Sequence, residues 1–449
     1  MVREFGRSTR RSLVAGSAGM AAALALGAKG AALASPAERS QILRALAQDG
    51  VELNVYVHAN HPFDQVKPIF EAKYPGVTMN MLEQNDVPTL RATFAADGEG
   101  TPDLFWPEID FVQDVGKSDV LLDVTVLVKK HEADLSVGKT AECFIPSTGK
   151  YAAFPGDIAT VGLFYRQDLL DQAGVTVPET WTWDEFIEAA KTVKEATGAS
   201  SIPFSTLGDA GTSRLFTFIL MQLGGAITNA DGTEITVDDE RGIAAMEITK
   251  RLYEADIATD EDPFMENYFA AIAAGQVAMT PQAVWYRGFG IEPNATDEQG
   301  GLGQWRVALL PSAGEGSIRT ANLGGAAIAS TRFTQHPEEV RAFMETALGT
   351  IEGATACGDW GILPPYLPYL ESEAWSGVRS AAFGDFAFNE VWTQAVAEYP
   401  GTWYKQPVFG EALVEIGVAT LPMVEGETDI ATGMADLGAR LRELNARYR

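Results

Sequence analysis

The sequence predicts an α/β protein of two lobes, and three observations carry that prediction. Short strand-like segments alternate with helical ones from residue 51 onward, the pattern of helices packed against a sheet. The helical stretches keep their apolar residues at three- and four-residue spacing. About 415 residues remain once the first 34 are set aside, more than one hydrophobic core ordinarily serves.

The elements follow in order. VELNVYVH (51–58) alternates apolar and polar residues and is rich in valine, which reads as a strand. Residues 64–74 place Val66, Ile69, Phe70 and Tyr74 at helical spacing and stop at Pro75-Gly76. A second strand is expected over 77–82, a helix over 89–96 and a short buried strand over 104–106. In such sheets ligands lie beyond the carboxyl ends of strands, where His58–Asn60 and Trp106–Asp110 fall. The middle of the chain is helical. Thr182 and Glu185 form a capping box ahead of a helix to about Thr197. Helices are also expected over 215–223, ending at Gly224-Gly225, and over 238–255, 337–348 and 429–448.

Residues 1–34 read as an export signal rather than as part of the fold. Arg3, Arg7, Arg10 and Arg11 open it, a small-residue apolar run follows, and Ala32-Leu33-Ala34 closes it with a signal-peptidase pattern. Arg10-Arg11-Ser12-Leu13-Val14 resembles the twin-arginine signal; an ordinary secretory signal with an incidental Arg pair is the alternative. No cysteine stands at the cleavage point, and no later run of some 18 uncharged apolar residues is present.

The whole chain carries a formal charge of −28, and loss of residues 1–34 brings it near −32. Such a surface repels phosphate backbones and anionic membranes, so nucleic acid is excluded as a partner. Cys143 and Cys357 are the only cysteines. An oxidising compartment permits a disulfide between them, and two buried thiols are the alternative. Nothing in the spacing of His and Cys indicates a metal or cofactor.

The ordered segments VELNVYVH, VKPIFEAKYPGV, TPDLFW, KYAAFPGDIATVGLFYRQDLLDQAGV, PETWTWDEFIEAA, FAAIAAGQVAMTPQAVW and WRVALLPSAG with LGGAAIAS resemble the family 1 extracellular solute-binding proteins of ABC importers, over nearly all of residues 51–445. The resemblance implies a two-lobed periplasmic-binding-protein fold of type II, with the ligand cleft between lobes joined by hinge strands. On that analogy lobe 1 holds 51–157 and 311–362, and lobe 2 holds 163–307 and 363–449. Crossings are expected near Ile158–Gly162 and Val307–Leu310. The implied function is capture of a sugar outside the cytoplasmic membrane and its delivery to membrane subunits of an ABC importer. The protein would act as a monomer and without catalysis.

A capture protein needs no nucleophile or metal. It needs aromatic faces for the C–H patches of a sugar and polar side chains for its hydroxyls. Trp106, Glu108 and Asp110 lie where the family places its first-lobe aromatic and acid; the other reading is a core Trp with solvated acids. Asp157 follows the family's proline by two residues. Trp285 matches the second-lobe stacking tryptophan, and Arg287 is its neighbour. His58 and Asn60, with His61, occupy the loop after the first strand and suit hydrogen bonding to a solute; as a metal site the pair of histidines lacks a third ligand. Gly324 and Gly325 offer backbone N–H groups or a tight turn. Asp209, Thr212 and Arg214 precede a helix of the second lobe. Trp360 and Trp403 stand in Gly- and Pro-rich surroundings, expected as loops. Two other functions fit the same residue types: a binder of a polyol, polyamine or glycerol phosphate, and a secreted carbohydrate-active enzyme using a carboxylate pair.

Overall fold

The alternation in VELNVYV becomes a strand because one of its faces is buried. In the computed structural model, which describes residues 50–57, 61–83, 87–95, 98, 100–204, 212–399 and 406–448, β1 (Val51–Val57) buries Leu53, Val55 and Val57. β2 (Val77–Glu83) lies parallel to β1 with Val51 opposite Val77. β3 (Leu104–Phe105) lies parallel on the other side with Val55 opposite Leu104. The helix Phe63–Lys73 that joins β1 to β2 turns Phe63, Val66 and Phe70 into the same core. β4 (Phe144–Ile145) and β5 (Lys150–Tyr151) pair as a small ribbon, and β6 (Ala153–Pro155) follows.

A second sheet begins at β7 (Val161–Arg166), whose six residues are all buried. Val161, Leu163 and Tyr165 face one core and Phe164 the other, so both sides need covering. Helices over 183–197, 212–222, 240–254, 409–424 and 430–445 cover the first side. Tyr268, Tyr286, Trp305, Phe388 and Trp392 cover the second. β8 (Ile202–Pro203) and β9 (Ala258–Thr259) make a short parallel pair, while β10 (Met279–Ala283) and β11 (Trp305–Ala308) flank β7 antiparallel. The expected capping box is present: Thr182 Oγ1 accepts from Glu185 N–H at 3.2 Å, and Thr182 N–H donates to Glu185 Oε2 at 2.7 Å.

The chain then re-enters the first sheet. β12 (Ala327–Ala329) inserts between β3 and β6, antiparallel to both, giving the order β2-β1-β3-β12-β6. The first lobe is therefore built from two stretches of chain, and the segments between sheets must cross. One crossing is 156–160. Its partner is 320–323: Val161 N–H donates to Ala321 O and Leu323 N–H to Ala159 O, both at 3.0 Å. This lies later than the second crossing expected near Val307–Leu310, because Val307 and Ala308 still pair with β7. Residues 311–319 stay with the second lobe through Gln222 Nε2, which donates to Pro311 O, and through the Arg319–Glu398 ion pair. A third connection passes near 363, where Ile158 N–H donates to Leu363 O.

The crossing is held by buried polar groups. Gly156 N–H donates to Ala326 O, and a side chain at Gly156 would meet that oxygen at 2.5 Å. Asp157 Oδ1 accepts from Ala326 N–H. Lys139 is fully buried beside it, with Nζ 2.9 Å from Glu142 Oε2, and Tyr399 of the second lobe donates its hydroxyl to Glu142 Oε1. Burial alone would lower the pKa of Lys139, but Glu142 and Asp157 outweigh it and hold the ammonium above its ordinary pKa. Among the described residues no helix is long and apolar enough to cross a membrane.

Candidate functional site

A cleft of about 270 Å³ opens where the crossing segments meet the ends of β3 and β10. That is near the lower end of the ~300–1,000 Å³ typical of small-molecule sites. Both lobes and the crossing contribute to it. Glu108 and Asp110 come from the first lobe, Arg214, Thr217, Met221, Phe264, Trp285, Phe409 and Leu413 from the second, and Asn322, Leu323 and Gly324 from the return crossing.

The first-lobe acids owe their position to the end of β3. Glu108 is the residue before the helix Ile109–Gly116 and bridges to Ala326, and Ile109 N–H donates to Gly325 O. Asp110 stands in the first helical turn and accepts from Phe111 N–H at 2.9 Å. Negative charge is favourable at a helix N-terminus, which suits both carboxylates to the cleft edge.

The second lobe supplies rings. Trp285 lies just beyond the edge strand β10, and its indole N–H donates to Leu323 O at 3.0 Å. With that donor used, the ring has only its faces to offer. Phe264 stacks on it with centroids 5.9 Å apart and planes 29° apart, and Phe289 meets it edge-on. The guanidinium of Arg214 sits 4.1 Å from the Phe264 centroid, a cation–π contact that holds the charge beside the rings. Arg214, Thr217 and Met221 recur at positions i, i+3 and i+7 of the helix Thr212–Gln222, which is why one helix face lines the wall. Tyr286 donates its hydroxyl to Pro263 O, fixing the loop that carries Phe264.

Gly324 closes the floor. Its φ is +81°, and a side chain there would stand 3.7 Å from both Glu108 Oε2 and Trp285 Nε1. A larger residue would be strained and would fill the space between acid and ring. Gly325 differs: its φ is +114° and a side chain would run into Lys139 Nζ, so it faces the buried cluster and not the cleft.

The other expected residues are placed elsewhere. Trp106 is 4% exposed and packs edge-to-face on Phe63 in the first-lobe core, so its ring does not line the cleft. Asp157 is buried against Ala326 and Lys139. Arg287 is buried, with Glu292 at 2.9 Å, Gly358 O at 3.0 Å and the Phe388 ring beneath it. Trp360 ends the helix Ile351–Trp360 and packs against the first core, where a loop was expected. His58, Asn60 and Trp403 lie outside the described residues, as does Asp209. His61 is buried at the start of a helix, where Nδ1 accepts from Phe63 N–H. Among the described residues no three His, Cys, Asp or Glu side chains group to hold a metal ion.

Phe264, Thr217, Met221, Asn322, Phe409 and Leu413 escaped the sequence reading. The helical spacing of 214, 217 and 221 was a usable signal, and so was a polar residue two places before Gly324-Gly325.

Comparison with known proteins bears on the same geometry. The sequence pattern of the family described as bacterial extracellular solute-binding protein matches residues 40–352. The chain belongs to that family. An arabinooligosaccharide-binding protein of Halalkalibacterium halodurans is 27% identical over 206 residues, 44% of this chain and 44% of the relative. A lactose-binding protein of Rhizobium radiobacter is 29% identical over 266 residues, 57% of this chain and 60% of the relative. The chain thus spans about half the length of these relatives. Among solved structures, the ABC transporter associated binding protein of B. animalis subsp. lactis Bl-04, in complex with β-1,6-galactobiose, superposes with a TM-score of 0.73 at 22% identity, covering 89% of this chain and 98% of that one. The likeness is one of fold, the two-lobed type II periplasmic-binding-protein fold.

Proposed function

We propose that this family member captures a carbohydrate outside the cytoplasmic membrane and hands it, unaltered, to the membrane subunits of an ABC importer. One observation carries the reading: a single cleft at the lobe crossing joins first-lobe carboxylates to a second-lobe aromatic wall. Trp285 and Phe264 cover the C–H face of a ring, and Glu108, Asp110 and Arg214 take its hydroxyls. Charge-assisted hydrogen bonds contribute about 1.5–3 kcal/mol each, so a few of them with a buried ring reach micromolar affinity, about −8 kcal/mol. A ligand touching both lobes binds the closed form better and so closes it. The relatives named above bind arabinooligosaccharide and lactose, which supports the same class of solute here.

With this reading go three others. The chain is exported, residues 1–34 are a cleaved signal, and the mature protein works as a monomer. The first lobe runs to about 157 and resumes near 324, the second holds the intervening residues, and the chain beyond 363 packs with the second. No step of catalysis is assigned to any residue.

The test is a melting-temperature screen of the mature protein with lactose, arabinotriose and β-1,6-galactobiose. A ligand that binds only the folded state raises the midpoint. At least one sugar is expected to do so and to be recovered intact after incubation. Absence of any shift across carbohydrates, or release of hydrolysis products, overturns the proposal.

A further inference from the structure

Asn322 is unlike every other residue lining the cleft. It is 4% exposed, and neither its amide oxygen nor its amide nitrogen has a hydrogen-bond partner among the described residues. It is carried on the return crossing, opposite Thr160, and its own backbone N–H is spent on the Met221 sulfur. The Thr160 hydroxyl, its cross-strand neighbour, is likewise buried without a partner among the described residues. A buried amide left unpaired is costly, so such groups are rare in folded proteins and call for an occupant that satisfies them.

We propose that Asn322 is a specificity-determining residue at the hinge and that it reads a vicinal diol. The inference rests on the carbohydrate reading above. An amide places one acceptor and two donors side by side. Two neighbouring hydroxyls answer both at once: one donates to Oδ1 and the other accepts from Nδ2. A polyamine brings donors alone and leaves Nδ2 unpaired. A bare phosphate brings acceptors alone and leaves Oδ1 unpaired. Sites built around such buried groups reject a ligand that lacks the matching partner far more strongly than apolar pockets reject a size mismatch. Sugar rings and linear polyols both offer the diol; the flat Trp285–Phe264 wall favours the ring.

The experiment uses the mature chain and two variants, Asn322→Ala and Asn322→Asp. The probes are lactose, arabinotriose, β-1,6-galactobiose, mannitol, spermidine and inorganic phosphate, measured by melting shift and calorimetry. Without any probe, Asn322→Ala should melt at or above the wild-type temperature, since it removes an unpaired buried amide. With the sugars that bind the wild type, both variants should lose about 10–100-fold in affinity, Asp because it keeps the acceptor and lacks the donor. A lowered melting temperature in probe-free Asn322→Ala means the amide holds the fold together, and overturns the proposal. So does sugar binding that survives in both variants, which leaves the carbohydrate reading standing. Tighter binding of spermidine or inorganic phosphate than of every diol overturns both. If mannitol alone binds and Asn322→Ala abolishes it, the diol assignment stands and the ring-sugar reading falls. If no diol binds the wild type, the carbohydrate reading falls and the assignment with it.

Discussion

Trp106 and Trp285 each follow a strand by one or two residues, yet one is core and the other faces the cleft. The difference is the position of the strand. β3 is covered on both faces, and Trp106 continues its alternation: it shares a core with Leu104, while Phe105 between them joins the opposite one. β10 is an edge strand, and beyond Ala283 the chain turns, so Trp285 leaves the alternation and reaches the crossing through its indole N–H. An aromatic after a central strand inherits the strand's burial; one after an edge strand is released to the site. The two lobes differ in the same way. The first offers the cleft its carboxylates and keeps its rings inside, and the second offers its rings with the Arg214 charge beside them.

The largest effects test that contrast directly. Trp106→Ala should cost about 3–5 kcal/mol in chemical unfolding, as large core aromatics do. Trp285→Ala should cost far less stability and instead weaken sugar binding by about 10–100-fold in calorimetry, the loss of one stacking face. Equal destabilisation with unchanged binding would erase the distinction. The next test concerns the charge buried in the first lobe. Lys139→Met leaves Glu142 and Asp157 uncompensated and should cost about 3 kcal/mol, whereas Lys139→Met with Glu142→Leu should recover most of it. Failure of the second change to rescue the first would mean that Lys139 matters for its shape and not its charge.

Much of this fold was legible from residues whose local and tertiary preferences agree. The Thr182–Glu185 box, the alternation of VELNVYV and the spacing in 337–348 all point to the elements observed. The site was half legible. Glu108, Asp110, Trp285 and Gly324 line the cleft because they follow strand ends or precede a turn. Phe264, Thr217 and Asn322 were harder, because each reaches the cleft through a partner distant in sequence: a stacking ring, a helix face, a crossing segment. Trp360 shows the converse error, since Gly353 and Gly358 disguised a helix. Gly353 fits only because the helix start comes within 1.8 Å of Thr346 O at its Cβ position, and Gly358 because the Tyr369 hydroxyl occupies its side-chain space.

A smaller effect belongs to acid. Glu345 is partly buried; burial pushes its carboxyl up, but the side chains of His131 and Lys130 outweigh that and bring it down to about 2. A lowered folded pKa gives stability that is present above the unfolded carboxylate value and lost as pH falls through the folded one. The window is therefore from about pH 4.5 down to about 2. With solvent screening the effect is on the order of 1 kcal/mol. Glu345→Gln should flatten the unfolding free energy across that window and leave sugar binding at neutral pH unchanged, because Glu345 is on the helix Pro337–Leu348 of the first lobe, away from the cleft. A variant with the wild-type slope would locate the acid sensitivity elsewhere.

The smallest expected effect is none at all, and it concerns the thiols. Cys143 and Cys357 are free and fully buried in different cores of the first lobe, Cys143 with Phe111 and Ile145, Cys357 with Phe343 and Leu348. Burial pushes the Cys143 thiol up to about 12 and raises that of Cys357 as well. The thiolate is the reactive form, so at pH 8 both are protonated as well as shielded. In the folded protein neither should react with Ellman's reagent, and two thiols should appear once it is unfolded. Melting temperatures with and without a reductant should coincide, since no bond joins the two. A drop in melting temperature on reduction would require the two cores to exchange a cysteine, and the separation of first-lobe packing on the two faces of β3 would then be wrong.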